Sequence, residues 1–457
     1  MVSKQSEQNS CARRRFIKAA GIAGVAGLAG CTGGGDGSDG SSGGDSDGSS
    51  GDGGSEDGDT GTTTGSAGSE TTTLSFWTLF TGGDGEAMVE LVEQFNEEHD
   101  DIQIERQRQP FDQYYEKLST SMSGGNAPDL CVMHSSKQLR FAEGLVPLDD
   151  HVDAEPYVET TWDRVAPSGT HYGLPLGTFI WGLYYNKDIF EEAGLDPESP
   201  PTNYEELQSA SNAIVENTDK LAFNPAPYGG PYNYAFISFL EQAGTSVLNE
   251  DKTAAGFDNA DGQRAGQFLH DIAANGWDKA DASGNRGNKA FRNGDLAMTM
   301  NGTWYQLVLS GLDMNWGHGK GFVMPDRKRK ANWGDTHIVN VPKQGGMSDS
   351  EIEKRVTAAK WLTQQGTIWA TTAGHVPTTK AVMESDELRN SPVWEKTLKN
   401  YVEMARDGQV AYWPVVENRS DYVRPLNKFG AQIYSNQIEP AEGVSMAAEQ
   451  ITTNLQS

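Results

Sequence analysis

The chain is short of cysteine, of positive charge and of long apolar runs, and each shortage excludes something. Of its 457 residues only three are cysteines, Cys11, Cys31 and Cys131. The first two fall in an N-terminal targeting segment, so the folded part keeps Cys131 alone and has no internal disulfide. Cys131 lies in the apolar run Leu130-Cys131-Val132-Met133, a setting that favours burial over reactivity. Lysine and arginine number 36 against 64 acidic residues, a formal net charge of −28. That balance argues against nucleic acid and anionic lipid surfaces as partners. Past the N-terminal segment no stretch approaches the roughly 18 apolar residues of a membrane span. Chemistry-bearing motifs are missing as well. There is no H-E-x-x-H and no cysteine pair at metal spacing, and Gly317-x-Gly319-x-Gly321 lacks the dinucleotide fingerprint. Gly44-Asp45-Ser46-Asp47-Gly48 matches G-x-S-x-G only formally, since no strand precedes it and no helix follows. No catalytic set, metal site or cofactor is expected.

What is present begins with an export signal. Arg13-Arg14 followed by Phe16-Ile17-Lys18 and a modest apolar stretch, Ala19 to Gly30, resembles a twin-arginine signal peptide over 1–30. Leu28-Ala29-Gly30-Cys31 resembles a lipobox, which makes Cys31 the expected lipid anchor and the outer face of the cell membrane the expected location. From Thr32 to Thr73 the chain is Gly, Ser, Thr, the single Ala67 and nine acids without one base. Such a segment buries too little to offset its ordering entropy and reads as a flexible tether over 31–73. The acidity and the signal together suggest a salt-loving archaeal source.

The rest is too long for one ordinary core and suits two lobes. Its start reads as β-α-β-α-β. Leu74 to Phe80 is a buried strand, and Met88, Leu91, Val92 and Phe95 recur at helical spacing. Ile102 and Ile104 alternate, Phe111 to Met122 forms a second helix stopped by Gly124-Gly125, and Leu130 to Met133 is the third strand. Alternating strands and helices imply a mostly parallel sheet, with ligands bound beyond the carboxyl ends of its strands.

Four segments carry a family resemblance. Gly124-Gly125-Asn126-Ala127-Pro128-Asp129 precedes a strand. Tyr172-Gly173-Leu174-Pro175 leads into Tyr184-Tyr185-Asn186-Lys187-Asp188-Ile189-Phe190. Phe291-Arg292-Asn293-Gly294-Asp295-Leu296-Ala297-Met298 is followed by Asn301-Gly302-Thr303-Trp304. Thr372 to Thr379 closes the set. In this order they resemble extracellular solute-binding proteins of the maltose-binding type, the capture component of ABC sugar importers. The resemblance implies an α/β, two-lobed periplasmic-binding-protein fold, each lobe a mostly parallel sheet flanked by helices, with a ligand cleft and hinge between the lobes. From the motif positions, 74–180 plus 303–363 form lobe one and 181–302 plus 364–457 lobe two. The implied partners are a small sugar, mono- or oligosaccharide, and the permease subunits of the importer; the protein is expected to act as a monomer and not as an enzyme.

A sugar site needs flat apolar rings for the C–H faces and a few polar groups for the hydroxyls. Candidates end strands or open cleft loops: Trp77 and Phe80; His134 and Ser135; Phe179 and Trp181 at the first crossing; Tyr232 and Tyr234 in an aromatic Gly/Pro loop; Trp304; Trp333, Gly334 and Asp335; and Trp413. Two readings compete. A surface glycoside-active enzyme would need paired carboxylates, with Asp335 and either Glu417 or Asp84 the available ones. A binding protein for a non-sugar solute would share the fold.

Overall fold

The computed structural model describes residues 71–457 apart from 226–231, 284 and 326. The export signal, Cys31 and the tether as far as residue 70 lie outside the described residues. Among the described residues nine strands run in chain order: β1 (Thr72–Thr78), β2 (Ile102–Arg108), β3 (Leu130–His134), β4 (Gly173–Asn186), β5 (Leu221–Asn224), β6 (Leu296–Gly302), β7 (Trp316–Gly319), β8 (Asn332–Asn340) and β9 (Val410–Tyr412). They are ordered β2-β1-β3-β8-β4-β6-β5, with β7 added to β4 and β9 to β8.

The opening is β-α-β-α-β, with β1 parallel to both β2 and β3. Helix Gly82–Glu98 buries Ala87, Met88, Leu91, Val92 and Phe95, one stripe at helical spacing. The second helix starts with a separate tight turn, Phe111–Gln113, ahead of the regular Tyr114–Ser123. Such turns are common at helix N-termini. Gly125, at φ 74°, takes the left-handed conformation that stops this helix.

β4 is the spine. All 14 of its residues are buried. Its first part, Gly173 to Ile180, pairs antiparallel with β8, and its second part, from Trp181, pairs with β6 and β7. A separate apolar core packs on each part. The first gathers Leu74, Phe76, Met88, Leu130, Leu176, Ile338 and Leu362. The second gathers Leu183, Leu207, Phe223, Leu240, Phe268, Phe322 and Ile433.

These cores move two boundaries from where the motifs alone set them. Phe322, Ala331 and Trp333 pack in the second core, so the stretch after Thr303 stays there and the return crossing falls within β8. Trp369 and Ala373 pack in the first core, so the last crossing comes after Ala373 rather than at 363. Motif positions mark turns, whereas here a nine-residue strand carries the chain across, one end in each core.

Candidate functional site

The cores meet where β4 and β8 cross, with Phe179 opposite Asp335 and Ile180 opposite Gly334. Gly334 permits the close approach: a Cβ there would lie 2.5 Å from the Phe179 carbonyl oxygen and 2.7 Å from Val410 Cγ1. Residues 333, 335 and 337 alternate onto one face of β8. Phe179 is the hub of a box of rings, its centroid 4.7 Å from His337, 5.5 Å from Trp333, 5.6 Å from Trp304 and 5.8 Å from His134. On the first-core side Phe80 lies 4.9 Å from both His337 and Trp369, and Trp369 stacks on His375. On the second-core side Tyr234 lies flat on Trp333 at 3.7 Å, with Trp181 5.0 Å and Trp413 6.0 Å from the tyrosine.

A polar chain runs through the box. The buried Asp335 accepts hydrogen bonds from Ser135 Oγ (2.6 Å), Ser136 Oγ (2.5 Å) and the Thr336 amide (2.8 Å). Arg419, just ahead of helix Ser420–Tyr434, donates from Nη1 to Ser136 Oγ at 2.7 Å. The other carboxylate, Asp84 in the first turn of helix Gly82–Glu98, is 3.1 Å from His375 Nε2, and His375 Nδ1 is 3.2 Å from Thr303 Oγ1. Tyr115 Oη lies 2.5 Å from His134 Nδ1. Burial pushes the His134 imidazole down to about 4, and burial together with neighbouring imidazoles holds His337 well below the usual histidine range. Both rings are therefore neutral at pH 7, each with one donor and one acceptor nitrogen.

The box also holds unmet hydrogen-bonding capacity. The indole N–H groups of Trp181, Trp333, Trp369 and Trp413, and His337 Nδ1, are buried with no partner among the described residues. Three other indoles do have acceptors: Trp77 donates to Gln107, Trp277 to Asn212 and Trp361 to Glu98. Each buried polar atom left without a partner costs about 1–3 kcal/mol. Several in one place mark a surface built for something that is not part of the chain. Flat rings beside buried donors suit a molecule with apolar faces and hydroxyl edges.

Most residues singled out from sequence meet here: Phe80, His134, Ser135, Phe179, Trp181, Tyr234, Trp304, Trp333, Gly334, Asp335 and Trp413. Two do not. Trp77 is half-buried and turned to edge strand β2, where it bonds Gln107, because alternation along β1 gives the buried face to Phe76 and Thr78. Tyr232 packs in the second core on Tyr434, centroids 4.9 Å apart. Two residues along a helix are roughly 200° around it, so Tyr232 and Tyr234 part company. The loop before them, 226–231, lies outside the described residues. Sequence reasoning missed His337, Trp369, His375 and Arg419. His337 had a signal, its even spacing from Trp333 and Asp335. Both oxygens of Asp335 accept hydrogen bonds from the protein. Among the described residues no group of three His, Cys, Asp or Glu could hold a metal ion, and no helix is long and apolar enough to cross a membrane.

Bacterial extracellular solute-binding proteins match residues 81–340 as a family. An arabinooligosaccharide-binding protein of Halalkalibacterium halodurans is 31% identical over 210 residues, 44% of this chain and 46% of that protein. The chain thus matches about half the length of this relative. In three dimensions it is similar to the cyclic alpha-maltosyl-1,6-maltose binding protein from Arthrobacter globiformis, with a TM-score of 0.71 at 21% identity over 84% of this chain and 99% of that one. The GacH receptor of Streptomyces glaucescens gives a TM-score of 0.73 at 20% identity, over 85% and 99%. At such identities the likeness establishes the fold, α/β in two lobes. The matched segment spans more than half of the chain, which belongs to the family of bacterial extracellular solute-binding proteins.

Proposed function

We propose that the protein captures a carbohydrate in the aromatic box and passes it unchanged to the permease subunits of an ABC importer. The observation that carries this is the set of four indole N–H groups without acceptors, gathered around stacked rings at the meeting of two cores. Sugar hydroxyls would accept from those donors while the ring faces cover C–H surfaces. The ligands for which the similar proteins are named, an arabinooligosaccharide and cyclic alpha-maltosyl-1,6-maltose, point the same way. Release without chemistry agrees with the state of Asp335 and Asp84, whose carboxylates are engaged by serines and a histidine.

In the same reading the chain leaves the cell by the twin-arginine route, is held on the outer face by lipid on Cys31 and works as a monomer in a salt-rich medium. Replacing Cys31 by Ser should then shift the protein from the membrane fraction to the medium. The decisive experiment is a thermal-shift screen against neutral and acidic mono- and oligosaccharides. A ligand at 100 times its Kd should add about 2.7 kcal/mol of stability. A micromolar Kd, about −8 kcal/mol, is expected. No stabilisation by any carbohydrate, or slow release of reducing ends, would overturn the reading.

A further inference from the structure

Resting on the carbohydrate reading, we propose that the bound saccharide is acidic, with a carboxylate or phosphate lying between Lys137 and Arg419 at one edge of the box. The chain carries 64 acids and only 36 bases, so a cluster of bases is out of character. Yet four converge here. Lys137 and Arg140 belong to the segment Ser135–Gly144, and Arg419 and Arg424 to the start of helix Ser420–Tyr434. Lys137 feels the charges of the other three, and burial first, then those charges, lower its ammonium to about 8.

Of these four bases only Arg419 has, among the described residues, a carboxylate at ion-pair distance, Asp335 at 3.9 Å. Asp335 also accepts hydrogen bonds from two serine hydroxyls and the Thr336 amide, and its one negative charge is set against four bases. Other bases of the chain are matched more closely: Arg355 with Asp129 at 2.5 Å, Arg286 with Asp278 at 2.6 Å, Arg329 with Glu241 at 2.6 Å. Both central cations face rings of the site instead. The Lys137 ammonium is 5.5 Å from the centre of the Tyr115 ring, and the Arg419 guanidinium 5.7 Å from that of Trp413. Arg419 spends one hydrogen bond on Ser136. Four bases beside the single carboxylate of Asp335 leave a net positive cluster, and its like charges repel one another in the free protein. An oxyanion between them would gain charge-assisted hydrogen bonds, which are short and strong. The N-terminal amides of the 15-residue helix behind Arg419 add a favourable dipole.

The test titrates the full chain, followed by tryptophan fluorescence, with matched pairs: digalacturonate against galactobiose, and glucose 6-phosphate against glucose. The proposal expects the acidic member of at least one pair to bind about tenfold tighter or more, the scale of one charge-assisted contact. The pair that shows it decides between carboxylate and phosphate. Lys137→Gln should weaken the acidic ligand by about tenfold, leave the neutral one within about twofold, and not lower the ligand-free melting temperature, since it relieves repulsion. Lys137→Arg should restore the acidic preference. Equal binding within both pairs, or equal losses for acidic and neutral ligands in Lys137→Gln, would overturn the proposal while leaving carbohydrate capture standing. Failure of every sugar, neutral and acidic, would overturn both.

Discussion

Tyr234 lies flat against Trp333, ring centroids 3.7 Å apart and planes 13° from parallel, although one comes from a helix and the other from β8. The pair forms the second-core wall of the box, and the Trp333 ring is fixed by its stack rather than by its N–H. Tyr234→Ala should cost about 1 kcal/mol of stability, the value of an aromatic pair beyond area burial. It should also weaken sugar binding about tenfold or more, because Trp333 loses its support. Tyr234→Phe keeps the ring and should keep most of both. Paired melting and titration measurements on the two variants check this, and an unchanged affinity in Tyr234→Ala would remove the wall from the site.

Trp304 is half-buried and meets Phe179 edge-on at 5.6 Å. A partly open ring is available to a sugar face. Trp304→Ala should lower affinity by about 2 kcal/mol, roughly thirtyfold, as for interface aromatics. Its stability should fall by less than the roughly 3–5 kcal/mol typical of a core tryptophan. The reverse pattern, a collapsed melting temperature with intact affinity, would make Trp304 a core residue.

Gly334 sits where β4 and β8 touch, and an added methyl would overlap Phe179 O and Val410. Since backbone cannot yield as a side chain tip can, Gly334→Ala should lose about 1–3 kcal/mol. Denaturant unfolding reads this directly. Wild-type stability in that variant would mean that the crossing has slack.

Acidification should destabilise the protein before its carboxylates titrate. Burial lowers His134 from 6.5 to about 4 and His318 to about 3, and His337 shifts the same way. Between pH 6.5 and 4 the unfolded chain binds protons that the folded chain refuses, so stability falls with falling pH. Each such group contributes at most about 1.4 kcal/mol per pH unit. His134→Gln should flatten that slope by one group's share, measured as unfolding free energy from pH 7 to 4.5. An unaltered slope would show that His134 is not held neutral.

Local pattern made the opening of the fold legible. Met88, Leu91, Val92 and Phe95 read as one helical face, and all four are buried. The lobe boundaries were less so, because β8 crosses between cores inside a strand with no turn to mark the event. In the site, residues at or just past strands were readable: Phe80 follows the end of β1, His134 ends β3 and Asp335 lies within β8. His375 was not, since its partners Asp84 and Thr303 come from remote stretches that no spacing connects to it. Arg419 was hidden for the same reason, its contact with Ser136 being made only by the tertiary fold. Tyr232 and Tyr234 differ by helix register alone, since both lie in the helix Tyr232–Ala243 rather than in a loop.

The central claim is that the buried indole donors await a ligand, and indole N–H resonances of the nitrogen-15 tryptophan-labelled protein test it most directly. On saturation with the tightest-binding sugar, the signals of Trp181, Trp333, Trp369 and Trp413, which lack acceptors among the described residues, should shift or gain exchange protection. Those of Trp77, Trp277 and Trp361, already bonded to Gln107, Asn212 and Glu98, should stay in place. Shifts confined to the second group, or saturation that leaves the first group unmoved, would contradict the account and place the ligand elsewhere.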